Sequence, residues 1–310
     1  MIETQKPEIS TKFSQSPLGL VAVIFTVILW ATAANVATDL FAAGVNPFEL
    51  AVSSMAIATF GFAILDSFLG QAAKRPLRGT HAKGMSRQQF VLGLLFAGLT
   101  GANYLAIARL PVAVAIVLLF TSPIMVVLWT ALTSQRIPSQ SVLVALLLSV
   151  VGVILVSKVL AGSLDQFNGF GFLVGLASAV FFTAYNMQSE RVGVSGEPVG
   201  VMLKTFAVAS LFWLAYQLTQ GIPLTLFNPQ NLWKILYMGI AGNMLPYLLF
   251  FWGIQRIRAE RAVIIATLEP VIASGLAWVW FDQTLTIMQI IGGVLIIIAV
   301  TSLQLTQRQE

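Results

Sequence analysis

The sequence predicts an all-α membrane protein: ten transmembrane helices arranged as two inverted five-helix repeats. Three observations lead there. Of 310 residues, 57% are hydrophobic and 9% charged, too few charges to cover a soluble protein of that length. The apolar runs are of the length, about 20 residues, that a helix needs to cross the hydrocarbon of a bilayer. The polar residues set into those runs also repeat. Thr32-Ala33-x-Asn35-x-x-Thr38-Asp39 returns 151 residues later as Thr183-Ala184-x-Asn186-x-x-Ser189-Glu190, and Pro47 returns as Pro198. At a spacing of 147, Ile107, Arg109, Ala115 and Pro123 return as Ile254, Arg256, Ala262 and Pro270, which requires only a four-residue difference in the loop region between. A doubled hydrophobic unit of this kind is the usual trace of a transporter built from two related halves.

Each expected span is bounded by charge, Pro or Gly. In order they run Leu18–Phe41, Pro47–Gly70, Phe90–Ala108, Val112–Thr133, Ser141–Leu160, Gly169–Met187, Val199–Leu218, Leu232–Ile254, Ala262–Phe281 and Thr286–Leu305. The organisation is a tail over 1–16, a first repeat over 17–160, a second over 161–306 and a tail over 307–310. Ala31-Thr32-Ala33 mimics a signal-peptidase site, but the preceding run is too long for a signal core and the tail carries Glu3 and Glu8 beside its lysines. The first span is therefore retained.

An odd number of spans per repeat makes the second copy enter the membrane from the opposite side. Lys and Arg stay on the cytoplasmic side of short loops. Under the ten-span topology thirteen of them fall on one side, among them Lys74, Arg75, Arg78, Lys83 and Arg87 of the 71–89 loop and Arg256, Arg258 and Arg261; Arg109, Lys158 and Lys234 fall on the other. Both termini are expected in the cytoplasm, with the chain multi-pass in a cytoplasmic (inner) membrane. The net charge of +5 reflects this topology and does not call for a nucleic-acid partner. There is no cysteine, and the one histidine, His81, lies in the basic loop, so neither a metal site nor a cofactor is expected.

The polar positions inside the spans are the candidate site. Thr32, Asn35 and Asp39 share one helix face, as do Thr183, Asn186 and Glu190. A polar face in lipid turns toward protein or toward a water-filled cavity. Asn35 and Asn186 are expected to line two opposite vestibules, with interhelical hydrogen bonding as the plain alternative; Asp39 and Glu190 read as solvated helix ends. Pro123 and Pro270 remove the donors that would reach the Leu119 and Ala266 carbonyls, which suits paired hinges or simply tolerated kinks. Glu269 is the one acidic residue expected at mid-membrane, where a charge is a functional hypothesis by default, although a protonated carboxyl bonded to a neighbouring helix would also satisfy it. Lys204 is either its partner or a side chain snorkelling to the surface. Trp30, Asn103, Tyr104, Thr121, Ser122, Tyr185, Asn243 and Tyr247 complete the substrate-site candidates, with Phe181, Phe182 and Phe250 as further wall residues.

The segment Ala108-Arg109-Leu110-Pro111-Val112-Ala113-Val114-Ala115 leading to Phe120-Thr121-Ser122-Pro123, with Arg261-Ala262 leading to Leu268-Glu269-Pro270-Val271, resembles the paired fourth and ninth spans of the drug/metabolite transporter superfamily, EamA type. Leu29-Trp30 in the first span, Gly152 in the fifth, and Gly292, Gly293 and Ala299 in the tenth fit the same resemblance. Phe181-Phe182 departs from the usual aromatic-then-small pattern, and Ser122 stands where the second half has Glu269. The resemblance implies a secondary transporter that exports small organic metabolites, most often amino acids or related compounds, by alternating access. A channel or a lipid-moving protein would show similar polar stripes. An intramembrane hydrolase would need paired aspartates or a Ser/His pair within the bilayer, whereas Asp39, Asp66, Asp165 and Asp282 fall at span ends or in loops, so no enzyme is expected. The partners expected are a small-molecule substrate and the bilayer. A coupling proton at Glu269, the direction of transport and the oligomeric state stay open.

Overall fold

The computed structural model describes residues 17–72, 85–110, 112–134, 138–156, 168–193, 197–221, 228–281 and 286–306. Both expected tails and most of the basic 71–89 loop lie outside them. Every regular element among the described residues is helical: α1 (Pro17–Ala42), α2 (Pro47–Ala72), α3 (Arg87–Arg109), α4 (Val112–Leu119), α5 (Ser122–Ser134), α6 (Gln140–Val156), α7 (Gly169–Gly193), α8 (Pro198–Gln220), α9 (Pro229–Tyr237), a π-helical segment (Met238–Met244), α10 (Leu245–Ile257), α11 (Ala259–Ala266), α12 (Glu269–Phe281) and α13 (Ile287–Thr306). Among the described residues seven helical stretches are long and apolar enough to cross a membrane, and two shorter apolar helices accompany them. Large side chains such as Leu18, Phe60, Phe68, Leu132, Leu147, Leu211, Leu218 and Ile287 are well exposed around the bundle. So large an apolar exterior marks a surface that meets lipid.

The most extensive helix pairings cross between the halves: α6 with α13, α3 with α7, α2 with α8, and α1 with α10. Exchanging the two halves turns α1–α10 into α7–α3 and leaves α2–α8 and α6–α13 unchanged as pairs. The equivalents Thr59 and Ser210, 151 residues apart, meet each other through a hydroxyl hydrogen bond of 2.7 Å. These pairs run antiparallel. On α2 and α8, Phe48 faces Trp213 and Tyr216 while Phe62 faces Phe206. On α6 and α13, Gln289 at the start of α13 donates to the Val156 carbonyl at the end of α6, while Gly152 lies against Gly292 and Ile296. A Cβ on Gly152 would come within 2.8 Å of the Gly292 carbonyl, and one on Gly292 within 2.7 Å of the Gly152 carbonyl, so two backbones touch there and only glycine fits.

Three expected spans are not single α-helices. The fourth divides into α4 and α5 and the ninth into α11 and α12, with the breaks at Phe120–Thr121 and Thr267–Leu268 in register across the repeat. At the breaks amides tighten onto carbonyls three residues back, Thr121 onto Leu118 in the first half, Thr267 onto Ile264 and Leu268 onto Ile265 in the second. Proline explains the place. It disfavours helical geometry in the residue before it and lacks the donor that would continue the ladder, yet it is well suited to the first turn of a new helix. Pro123 and Pro270 are accordingly the second residues of α5 and α12, not kinks inside continuous rods. In the eighth span, Pro246 cannot donate to the Gly242 carbonyl, and the Asn243 side chain donates to the Met238 carbonyl at 2.9 Å, five residues back. The Leu245 amide likewise bonds Ile240, and the turn widens to a π-helix.

Candidate functional site

These interruptions converge on one cavity of about 90 Å³ in the middle of the bundle. Trp30, Ala33, Ala34 and Ala37 of α1 form one side; their small side chains leave the space that the aromatic residues opposite enclose. Leu99, Thr100, Asn103, Tyr104 and Ile107 of α3 form another. The end of α4 contributes Ile116, Leu119 and Phe120, the π-helical segment Met238, Gly242 and Asn243, α10 Tyr247, α7 Phe182, and the first residue of α12 is Glu269. Asn243 also donates to the Tyr104 hydroxyl at 3.4 Å, which ties the widened turn to α3.

The cavity extends toward the end of the bundle where Asp39 and Lys234 pair at 2.7 Å: Ala37 is within a turn of Asp39, and Met238 is one turn beyond Lys234. At its other end aromatic rings close it. Trp30 lies 5.0 Å from Phe250 and 5.1 Å from Tyr247, Phe182 stacks on Phe250 at 6.1 Å, and Phe96 contacts Tyr185, Phe206 and Tyr247. Beyond this layer, Glu190 of α7 faces Arg258 at 3.8 Å and accepts from the Ala259 amide at 3.4 Å. Arg258 holds the one positive φ, 71°, among the described non-glycine residues, at the joint between α10 and α11. Such a conformation costs on the order of 1–3 kcal/mol and persists where surrounding contacts hold it.

The model of the EamA-like transporter family matches residues 17–158 and 169–303 of this chain. The chain belongs to that family. An uncharacterized transporter of Archaeoglobus fulgidus is 27% identical over 284 residues, 91% of this chain and 94% of the relative. The threonine/homoserine exporter RhtA of Salmonella typhimurium is 26% identical over 240 residues, 76% of this chain and 77% of its own. The pseudopaline exporter CntI of Pseudomonas aeruginosa is 29% identical over 234 residues, 72% and 78% of the two chains. A solved crystal structure superposes with a TM-score of 0.76 at 19% identity, covering 95% of this chain and all of that one, a likeness in fold.

Within this EamA-family fold, seven of the residues singled out by sequence line the cavity: Trp30, Asn103, Tyr104, Phe182, Asn243, Tyr247 and Glu269. The others lie around it. The Thr32 hydroxyl shares a hydrogen bond with the Tyr237 hydroxyl at 2.5 Å, and Asn35 is exposed and donates to Ala31 of its own helix. Thr121 bonds the Leu118 carbonyl at the break, and Ser122 is buried next to it. Tyr185 and Asn186 are wholly buried on α7, Tyr185 as part of the aromatic layer. Lys204 is not brought to Glu269; its Nζ donates to Gln89 at the start of α3 at 3.4 Å. Phe181 packs on Gly98 instead of the cavity. Sequence reasoning missed Thr100, although its place three residues before Asn103 sets both on one helix face. It also missed Ala33, Ala34 and Ala37, whose contribution is the absence of bulk.

Proposed function

We propose that this EamA-family chain is a secondary transporter that exports small organic metabolites, amino acids or related compounds foremost, by alternating access. One observation carries the reading. A largely apolar cavity with a few polar groups and a single carboxyl lies between two proline-opened helix breaks in register across the repeat, extends toward one end of the bundle, and is sealed from the other by aromatic rings and an ion pair. The relatives named as exporters of threonine, homoserine and pseudopaline support the cargo class.

The proposed architecture is ten spans in two inverted halves, bounded as 17–160 and 161–306, with both termini cytoplasmic in an inner membrane. The antiparallel course of the equivalent pairs α2–α8 and α6–α13 supports inversion, since a two-fold axis lying in the membrane plane relates helices in that way. Rocking of the halves would bend the chain at the joints before Pro123 and Pro270, closing the Asp39 end as the Glu190 end opens. Asn35 and Asn186 would then flank the two vestibules.

The test is counterflow of labelled amino acids in proteoliposomes. Saturable exchange that requires unlabelled solute on the opposite side is expected. Conduction without saturation would replace the carrier by a channel, and lipid transfer without solute exchange would replace it by a lipid-moving protein.

A further inference from the structure

Asp39 and Glu190 each face a cation, Lys234 and Arg258 respectively. Glu269 does not. No ion pair or hydrogen bond joins it to another described residue, and neither Lys, Arg nor His lines the cavity that it faces. An unpaired carboxylate in apolar surroundings is expensive, and such groups are relieved by a proton or by a cation brought to them. Two features suit the site to an arriving cation. Glu269 is the first residue of α12, where the helix dipole stabilises a negative charge. The same cavity presents the rings of Trp30, Tyr104, Phe120, Phe182 and Tyr247, whose faces attract a cation where water is scarce.

From this geometry, and resting on the transport reading above, we infer that Glu269 reads the amine of the solute: the cavity takes amine-bearing molecules, with the ammonium on the Glu269 carboxylate and against the aromatic rings. A solute carboxylate would find no cation here. It would find neutral donors instead: the amide of Asn103, the Tyr104 hydroxyl, and the indole N–H of Trp30, which is buried without an acceptor among the described residues. A zwitterion therefore fits with its amine at Glu269, whereas an anion lacking the amine meets the Glu269 charge unrelieved. Ser122, the equivalent of Glu269 in the first half, is a hydroxyl and is not part of the lining, so the recognition is one-sided.

The experiment compares three probe mixtures on the purified full chain: L-amino acids, their methyl esters, and the matching 2-hydroxy acids. Binding is read by thermal stabilisation in nanodiscs, and counterflow is read separately in proteoliposomes. The amine-bearing mixtures are expected to bind at least roughly tenfold more tightly than the hydroxy acids, the discrimination a site gains when a missing partner leaves its own polar group unpaired. Glu269→Gln should bring the mixtures together, and Glu269→Asp should retain the preference. Should Glu269→Gln fail to fold, the preference of the intact protein and of Glu269→Asp still decides. Equal binding of hydroxy acids by the intact protein, a preference that survives Glu269→Gln, or no binding of any mixture overturns the inference. Amine-selective binding without counterflow would leave it standing while removing the transport reading, and counterflow without amine preference would do the reverse.

Discussion

On α1, Thr32 bonds Tyr237 beside the cavity, Asn35 is exposed, and Asp39 reaches Lys234 with its side chain 67% exposed. On α7, 151 residues later, Thr183 is buried and bonds the Ser122 carbonyl, Asn186 is 0% exposed, and Glu190 reaches Arg258 with its side chain 24% exposed. Two stripes with the same chemistry sit in different surroundings, one beside an accessible cavity and one packed shut. Even the asparagines differ: both amides donate within their own helix, but the Asn186 oxygen is buried with no partner among the described residues. A buried polar group left unsatisfied costs about 1–3 kcal/mol. That cost is readily explained if the α7 stripe is hydrated in a second conformation and this one is only its closed form.

Accessibility to a water-soluble reagent separates the two stripes most directly. The chain has no cysteine, so Asn35→Cys and Asn186→Cys each supply a single reporter. A small water-soluble thiol reagent should modify the second about 10- to 1,000-fold more slowly than the first, as expected if the alternative state holds on the order of 0.1–10% of molecules. Equal rates would mean that the two ends do not differ. The membrane face from which each cysteine reacts also tests the proposed orientation of the termini.

A sharper version removes the ion pair at the closed end. Glu190→Gln in the Asn186→Cys background should speed modification about fivefold, equivalent to the ~1 kcal/mol of a partly exposed pair. Unchanged labelling would assign closure to the aromatic layer alone. The smallest effect belongs to the other pair. With Asp39 so exposed, Asp39→Asn should change labelling of Asn35→Cys by less than about twofold, because solvent already screens that interaction.

Much of the site was legible in the residues themselves. Trp30, Asn103, Tyr104, Asn243, Tyr247 and Glu269 stand out because polar and large aromatic groups inside apolar runs need an explanation, and the cavity supplies it. The two prolines marked interruptions at the right places, though as kinks and not as starts of new helices. Thr32, Asn35 and Asn186 carried the same polar signal but lie outside the lining, since helix periodicity gives a face and not the neighbour that the face meets. For Lys204 the sequence left pairing with Glu269 and snorkelling both open; packing sets it beside Gln89.

The solvent, the helical class and the doubling follow from the residues alone, because hydrophobic run length and the spacing of repeated residues are properties of the chain and need no partner. Tertiary structure decided the rest. It interleaved the halves, so that α1 packs on α10 and α3 on α7, and it chose which of two equivalent stripes is closed. It also left Glu269 as the one carboxyl among the described residues that line the central cavity. Those outcomes depend on contacts between segments far apart in the chain, where a repeated motif specifies the same local helix twice but not the same surroundings.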